Sequence, residues 1–304
     1  MARACSNTWR RRRESALASF VLCGHNKCGT RWLAEVLGSS PSLEFVSGRN
    51  IRKYLEDHER VLRDLAENSA KPLFIDYAYA IQDPSALELL KRIDAEMSGV
   101  LIYREPMDAM LSMHNYQRWT YRSGKLFGTA RGLEVDGVIA DTDFVESAKS
   151  GLLREQFERV YRYDLNAKRL RQYFPRYLEL LYDDLKADGD AFVRKIFGFC
   201  RVEPVYRLPE QKVNPSMAVR SWFADKVISK GFLLLTGLNS AVLYDRFKSE
   251  RLRPSLFRLL LRLNYKGPHF LNDDEQRDLR ETFRAMVEEF AKVTELDLNA
   301  WQYD

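Results

Sequence analysis

The regular alternation of short apolar segments with amphipathic ones constrains the fold of this chain most. The apolar segments 18–24, 72–76, 99–104 and 177–182 predict strands, and apolar residues recur at helical spacing in the segments between them. Strands that alternate with helices favour a parallel sheet covered on both faces. We therefore predict an α/β fold, a parallel sheet flanked by helices with a helical C-terminal elaboration. Helices are expected over 30–37, 50–67, 84–97, 106–121, 143–173, 190–200, 226–247, 254–264 and 273–294.

The charge distribution argues against a nucleic-acid-binding protein. The formal charge is +5, but residues 1–13 hold five arginines and no acid, and without those five the remaining chain carries 43 bases and 43 acids. A nucleic-acid-binding body would present a broad basic face. We expect residues 1–17 to form a disordered basic tail and residues 18–304 to form a single domain. The alternative role for the tail is an anion or membrane-surface contact.

Composition also bears on metals, disulfides and membranes. The four cysteines show no metal-ligand spacing, and the four histidines are scattered. No segment approaches the roughly 18 apolar residues of a membrane span. These features predict neither a zinc site nor a disulfide framework, and they favour a reducing, cytoplasmic location.

The turn after the first predicted strand has the composition of an anion-binding site. It reads GHNKCGT from Gly24 to Thr30 and leads directly into a predicted helix. Glycine allows close backbone approach, and the unpaired N–H groups of a helix start favour an anion. Lys27 adds a positive charge and Thr30 a hydroxyl donor. The order G-x-x-x-x-G-K-[ST] of the nucleotide triphosphatases is not matched, because Lys27 precedes Gly29. We expect a P-loop-like architecture that lacks that motif.

A second group of polar residues follows the third predicted strand. Arg104 ends this strand, and Ser112 follows eight residues later in the next helix. An arginine at a strand end and a hydroxyl two turns into the next helix can converge on one phosphate. The alternative is a surface arginine and a serine that faces solvent.

Together these segments resemble the sulfotransferases that use 3′-phosphoadenosine 5′-phosphosulfate (PAPS). That family carries a loop of the form K-x-G-T-x-x-L or K-x-G-T-T-W, then R-x-P with a serine eight residues after the arginine, and later a strand that ends Y-E-D-L. This chain has KCGTRWL from Lys27, REP from Arg104, and YDDL from Tyr182 with Asp in place of Glu. The segment KVNPS and a C-terminal pattern that ends near Trp301 are also similar, so the resemblance runs in order from about residue 19 to 304.

The resemblance implies a role for each matching residue. Lys27 would neutralise the bridging oxygen as the S–O bond breaks, and the turn would hold the 5′-phosphosulfate. Arg104 and Ser112 would bind the 3′-phosphate, and Trp32 and Tyr182 would contact adenine, although Trp32 also fits a core aromatic. No metal is required. The complete set of expected PAPS-binding residues is Lys27, Cys28, Gly29, Thr30, Arg31, Trp32, Arg104, Ser112, Tyr182, Lys212 and Asn214.

The general base is less well defined by the sequence. Family members place a Glu, Asp or His after the second strand, where this chain has Asp76. We expect Asp76 to take the proton from the acceptor hydroxyl, with His25 second and His114 third. A turn or cap residue is the alternative interpretation of Asp76.

The acceptor is not specified, and a hydroxylated small molecule, a carbohydrate or a lipid all fit. Segments 232–235 and 256–263 are rich in Leu and Phe, which favours packed helices, with a lipid acceptor or a peripheral membrane contact as alternatives. Residues 122–142, which follow Tyr121, are expected to form a mobile loop or lid. The alternative functions are a P-loop-type kinase that uses ATP and magnesium, and a non-catalytic adaptor. The sequence leaves the oligomeric state open.

Overall fold

The structure is a computed structural model, and it describes residues 19–47, 51–127, 144–149, 161–209, 218–219, 265–266 and 271–303. The chain forms two compact units. The first contains the described residues up to Ala109, those of 161–209 and those from Phe283 onward. The second contains the described residues of 110–149, the short segments 218–219 and 265–266, and 271–282. The single domain expected over 18–304 stays a prediction.

The first unit contains a five-stranded parallel sheet. Its strands are β1 (Phe20–Leu22), β2 (Glu44–Ser47), β3 (Leu73–Asp76), β4 (Ser98–Tyr103) and β5 (Tyr177–Leu181). Their order across the sheet is β2-β3-β1-β4-β5, and all four neighbouring pairs are parallel. β1 and β4 are buried along their whole length, as central strands covered on both faces must be. The predicted α/β fold with a parallel sheet is confirmed.

Helices connect the strands and extend beyond them. In chain order they are α1 (Thr30–Gly38), α2 (Ile51–Asn68), α3 (Pro84–Ile93), α4 (Pro106–Phe127), α5 (Phe144–Lys149), α6 (Tyr163–Tyr173), α7 (Tyr182–Ala187), α8 (Gly189–Cys200) and α9 (Asp273–Ala291). Short 3₁₀ turns cover Ala80–Gln82 and Asn299–Trp301. None of the helices in the described ranges is long and apolar enough to cross a membrane.

Side chains fix several of the helix starts. Asp83 accepts hydrogen bonds from the backbone N–H groups of Ser85 and Ala86, with Pro84 in the first turn of α3. Asp188 caps α8 in the same way through Ala191. These short polar residues satisfy N–H groups that have no partner inside the helix.

Among the described residues, the second unit contains α5, parts of α4 and α9, and one short pair of strands. The strands β6 (Ala218–Val219) and β7 (Tyr265–Lys266) are antiparallel. Asn272 and Glu275 cap α9 reciprocally, each side chain accepting from the other's backbone N–H at 2.9 Å. Asn272 is therefore the N-cap residue of α9.

The predicted and observed secondary structure differ mainly at three places, and two predicted helices lie outside the described residues. β2 was not predicted, because its four residues include Glu44 and Ser47 and it lies at the sheet edge. The helix expected over 143–173 is interrupted, since residues 161–162 are not helical. The expected lid at 122–142 is wrong for 122–127, which continue α4. The helices expected over 226–247 and 254–264 lie outside the described residues.

The topology brings the carboxyl ends of β1 and β4 together. β1 leads toward β2 on one side of the sheet, while β4 leads toward β5 on the other side. Ligands bind in open α/β sheets at such a switch point, outside the carboxyl ends of the strands. The turn after β1 and the residue after β4 therefore occupy the position that the fold favours for a ligand.

Candidate functional site

The turn between β1 and α1 has a backbone that requires glycine at its last position. Gly29 has φ 77°, and Lys27 has φ 67°, both in the left-handed region. A Cβ at residue 29 would lie 2.6 Å from a methyl carbon of Leu185 and 2.9 Å from the ring of Tyr182. Any side chain there would be both strained and obstructed. We call residues 24–30 the anion turn.

The anion turn ends at an uncapped helix start. Gly29 is the N-cap residue of α1 and has no side chain to cap it, and the first turn of α1 holds no acid. Thr30 is the first helical residue and is half-buried, whereas Arg31 is exposed. The thiol of Cys28 is buried, which raises its pKa to about 12, so this side chain is not a charged ligand at neutral pH.

His25 is locked inside the protein by hydrogen bonds to both ring nitrogens. Its Nδ1 lies 3.0 Å from the carbonyl oxygen of Ile102, and its Nε2 lies 2.8 Å from Nδ2 of Asn166. Because the carbonyl can only accept, Nδ1 carries the proton and Nε2 accepts from the amide. Burial lowers the pKa of His25 to about 4. This geometry does not favour His25 as the general base and instead makes it an anchor of the anion turn.

Arg104 connects the end of β4 to the anion turn. Its Nη1 donates to the backbone carbonyl of Lys27 at 3.0 Å, and its Nη2 donates to Asp108 at 3.3 Å. Its guanidinium carbon lies 4.8 Å from the ring centre of Tyr182. The hydroxyl of Tyr163 donates to its backbone carbonyl at 2.9 Å. The two motifs that the sequence singled out are therefore in direct contact.

The electrostatics of the anion turn suit a negatively charged ligand. Burial, reinforced by the charge of Arg104, lowers the pKa of Lys27 from its usual 10.5 to about 8. The Nε of Arg104 and the Nδ2 of Asn26 are buried and have no hydrogen-bond partner within the described part of the chain. Buried donors rarely lack partners, and an anion with several oxygens would satisfy them.

Aromatic side chains flank the same region. The Tyr182 ring is bordered by Arg104 and, at 5.4 Å from its centre, by the ammonium of Lys186. Trp32 is half-buried, and a Cβ at Gly189 would lie 3.3 Å from its ring. Trp32 thus packs closely on the start of α8, and adenine contact by Trp32 or Tyr182 stays a prediction.

Asp76 ends β3 at the edge of the sheet that carries the anion turn. It pairs in register with Leu22, and the backbone N–H of Tyr77 donates to the carbonyl of Leu22 at 2.9 Å. The N–H of Ile81 donates to the carbonyl of Cys23 at 3.0 Å. Asp76 is half-buried and follows a strand that lies beside β1, so its position is compatible with the role expected of it.

The other expected site residues lie in the second unit or outside the described residues. Ser112 and His114 are buried on α4 in the second unit, and the ring of His114 lies 5.5 Å from Phe144. The convergence of Ser112 with Arg104 stays a prediction. Lys212 and Asn214 lie outside the described residues.

Several residues that support the site escaped the sequence analysis. Asn166 and Tyr163 on α6 hold His25 and the Arg104 carbonyl, and Glu105 receives a hydrogen bond from the hydroxyl of Tyr303. Glu105 does carry a local signal, because an acidic residue directly before Pro106 is a candidate helix cap. The others give no local signal, since their partners are 59 to 198 residues away along the chain.

Within the described ranges, no group of three His, Cys, Asp or Glu side chains could hold a metal ion. Neither known family models nor curated proteins show a detectable match to this chain in sequence.

Three solved structures, by contrast, are similar to it. A sulfotransferase from Alicyclobacillus acidocaldarius matches with a TM-score of 0.54 and 13% identity, over 94% of this chain and 98% of that one. Mouse sulfotransferase SULT7A1, solved in complex with PAP, gives a TM-score of 0.43 and 17% identity over 88% of this chain and 84% of its own. The sulfotransferase domain from the curacin biosynthetic pathway gives a TM-score of 0.37 and 16% identity, over 61% of this chain and 74% of that domain. The first of these similarities shows that the chain has the fold of a sulfotransferase.

Proposed function

We propose that this protein transfers a sulfuryl group from PAPS to a hydroxyl group of an acceptor molecule. The observation that carries the proposal is the direct hydrogen bond from Arg104 to the backbone of Lys27. It joins two motifs that each resemble one half of a PAPS site. PAPS carries an anionic group at each end of its ribose, and two neighbouring cationic positions suit such a donor.

The residues present fit the donor in three respects. Gly29 leaves its position in the turn without a side chain, so a ligand can approach the backbone there closely. The start of α1 is uncapped, which leaves its N–H groups for phosphate oxygens. The buried Arg104 Nε and Asn26 Nδ2 are donors that lack an acceptor. In this proposal the anion turn holds the 5′-phosphosulfate and Arg104 binds the 3′-phosphate, with Ser112, Lys212 and Asn214 as further candidates.

Sulfuryl transfer requires the protein to position the reactants and to neutralise the charge that develops during the reaction. The acceptor oxygen bonds to sulfur as the bond from sulfur to the 5′-phosphate oxygen breaks. Lys27 stabilises the negative charge that develops on that phosphate oxygen. Asp76 takes the proton that leaves the acceptor hydroxyl, which a positioned base accelerates by about 10²–10⁴-fold. The products are the sulfated acceptor and adenosine 3′,5′-bisphosphate.

The acceptor class is proposed only as a hydroxyl-bearing small molecule, carbohydrate or lipid. Tyr79 follows β3 and is 40% exposed, so an aromatic surface adjoins the strand end that carries Asp76. Such a surface can contact either a sugar ring or an apolar acceptor. A cytoplasmic location and a peripheral membrane contact remain predictions from the sequence.

Ligand-dependent thermal stabilisation separates this proposal from a kinase. Adenosine 3′,5′-bisphosphate should raise the melting temperature, because a ligand that binds only the folded state stabilises it. ATP with magnesium should not do so. The reverse pattern would favour the kinase and reject the proposal.

A labelled-donor assay over hydroxylated metabolites, glycans and lipids then tests the transfer itself. Lys27→Ala should lower turnover by about 10²–10³-fold, since it removes the charge that stabilises the departing phosphate. The matched control is Lys91→Ala, which removes an exposed lysine of α3. Full activity of Lys27→Ala would refute the assigned site.

A further inference from the structure

The C-terminal turn, residues 298–303, reaches the surroundings of Arg104 through two separate hydrogen bonds. The hydroxyl of Tyr303 donates to the carboxylate of Glu105, the residue next to Arg104. The indole Nε1 of Trp301 donates to Asp183 at 3.1 Å. Both aromatic side chains are buried, at 8% and 2% exposure. Two buried polar side chains therefore hold this turn against the rest of the first unit.

The first connection runs through the start of α4. The carboxylate of Glu105 accepts from the backbone N–H groups of Met107 at 3.1 Å and Asp108 at 2.6 Å, so it caps the helix. Asp108 in turn accepts from Arg104. Burial disfavours the charged carboxylate of Glu105 and raises its pKa. The hydrogen bond from the Tyr303 hydroxyl opposes this effect and stabilises the charged form. Tyr303 thereby fixes the orientation of the helix turn that carries the partner of Arg104.

The second connection runs through α7. Asp183 accepts from Trp301 with one oxygen and pairs with Lys186 at 2.6 Å through the other. The Lys186 ammonium lies 4.0 Å from Asp108 and 5.4 Å from the ring centre of Tyr182. Asp108 and Tyr182 are the side chains that contact the Arg104 guanidinium. Both connections therefore end on the immediate neighbours of the same arginine.

A packing contact joins the same two regions. The ring centres of Trp301 and Tyr163 lie 6.2 Å apart, and the Tyr163 hydroxyl donates to the Arg104 carbonyl. The backbone and the side chain of Arg104 are thus both supported from the C-terminal turn. Arg104 itself makes no contact with this turn among the described hydrogen bonds, so the support acts through intermediates.

We infer that Tyr303 and Trp301 are positioning residues that set how well this protein recognises the 3′-phosphate of its donor. The inference rests on the proposed function, in which Arg104 binds that phosphate. A guanidinium fork gains its full strength only when it is held at the correct angle to the phosphate oxygens. Loosening the C-terminal turn should therefore weaken recognition of the 3′-phosphate and leave the 5′ end of the nucleotide unaffected.

Titration calorimetry with two nucleotides tests this selectively. Adenosine 3′,5′-bisphosphate carries both phosphates, and adenosine 5′-monophosphate lacks the 3′-phosphate. In Tyr303→Phe we expect affinity for the bisphosphate to fall about fivefold, the equivalent of one ordinary hydrogen bond. Affinity for the monophosphate should change by less than about twofold. Trp301→Phe keeps an aromatic ring but loses the indole N–H donor, and it should show the same selective loss of bisphosphate affinity. It replaces Tyr303→Phe in the test if that variant does not fold.

The matched control is Tyr206→Phe. Tyr206 also donates to a carboxylate, that of Asp190 at 2.7 Å, but this bond joins the segment after α8 to the start of α8. Its removal should leave both affinities unchanged. A merely structural role of Tyr303 would lower both affinities together and would overturn the inference.

A double substitution sharpens the test. Once Arg104→Ala is present, Tyr303→Phe should cause no further loss of bisphosphate affinity, because the two changes act through one group. Additive losses would contradict the inference. If the unaltered protein binds the bisphosphate no more tightly than the monophosphate, the proposed function fails as well. If the unaltered protein does prefer the bisphosphate, and Tyr303→Phe and Trp301→Phe keep the same ratio of bisphosphate to monophosphate affinity, only the inference fails.

Discussion

Arg104 follows β4 and Asp76 ends β3, the two strands on either side of β1, and the described contacts around the two positions differ in kind. Arg104 is fixed by side chains: Asp108 and Tyr182 contact its guanidinium, and the hydroxyl of Tyr163 binds its carbonyl. The chain after Asp76 is fixed by backbone hydrogen bonds, from Tyr77 to Leu22 and onward through the 3₁₀ turn.

The difference shows how each end of the site depends on sequence. Side-chain support demands particular residues, so the region around Arg104 carries a recognisable motif. Backbone support makes no demand on an exposed side chain, so Tyr79 in this loop can be replaced without disturbing the core, whereas Tyr77, Ala80 and Ile81 are buried. In the proposed function, we therefore expect the donor end to be the more constrained in composition.

Replacing Asp76 should give the largest effect and tests the acceptor end. Asp76→Asn keeps the shape but cannot take a proton, so turnover should fall by about 10²–10⁴-fold. Affinity for adenosine 3′,5′-bisphosphate should stay unchanged, since the donor end is held independently. Steady-state kinetics combined with calorimetry measures both. Turnover that is unaffected would remove Asp76 as the base and would direct attention to another residue.

Replacing Arg104 should weaken binding of the nucleotide, which replacing Asp76 should leave unchanged. Arg104→Ala removes charge-assisted hydrogen bonds, which should weaken bisphosphate binding roughly 10- to 100-fold. Arg194→Ala is a useful control, because this exposed arginine of α8 pairs with Asp190 at 2.6 Å and contacts none of the residues around Arg104 among the described hydrogen bonds and ion pairs. Equal losses for the bisphosphate and the monophosphate in Arg104→Ala would show that Arg104 does not distinguish the 3′-phosphate.

The pH dependence of donor binding should report Lys27. With a pKa of about 8, Lys27 is largely neutral above pH 8 in the free protein. A bound anion favours its charged form, so binding above pH 8 takes up a proton and weakens by up to about tenfold for each pH unit. Calorimetry at pH 7 and pH 9 in buffers of different ionisation enthalpy detects that proton. Lys27→Arg stays charged and should flatten the profile, whereas an unchanged profile would contradict this assignment.

The last prediction concerns stability at low pH and does not involve the ligand. The pKa of His25 is lowered to about 4 in the folded protein, so the unfolded chain binds this proton first as the pH falls. The stabilising contribution is complete above pH ~6.5 and is lost between pH ~6.5 and ~4, which amounts to roughly 3 kcal/mol. Urea unfolding at pH 7 and pH 5 should show a smaller loss in His25→Gln than in the unaltered protein. An equal loss would mean that other groups dominate.

The sequence allowed the local parts of the site to be predicted. The anion turn could be found because Gly24, Lys27 and Gly29 lie within six residues and adjoin a buried strand. Arg104 could be found because it also ends an apolar strand. In both cases the chemistry and its structural context are adjacent in the chain.

The remaining supports depend on contacts that no local pattern encodes. Tyr303 meets Glu105 across 198 residues, and Asn166 meets His25 across 141. His25 was considered as a base because it lies in the anion turn, but its burial and its two partners follow from packing against α6. β2 was missed because an edge strand of four residues does not need a continuous apolar pattern.

The central claim is that the anion turn and the end of β4 hold the two anionic ends of one nucleotide. A crystal structure with adenosine 3′,5′-bisphosphate tests it most directly. The account predicts the 5′-phosphate on the N–H groups of residues 27–30 and the 3′-phosphate within hydrogen-bond distance of Arg104. A nucleotide bound elsewhere, or one whose 3′-phosphate points away from Arg104, would contradict it.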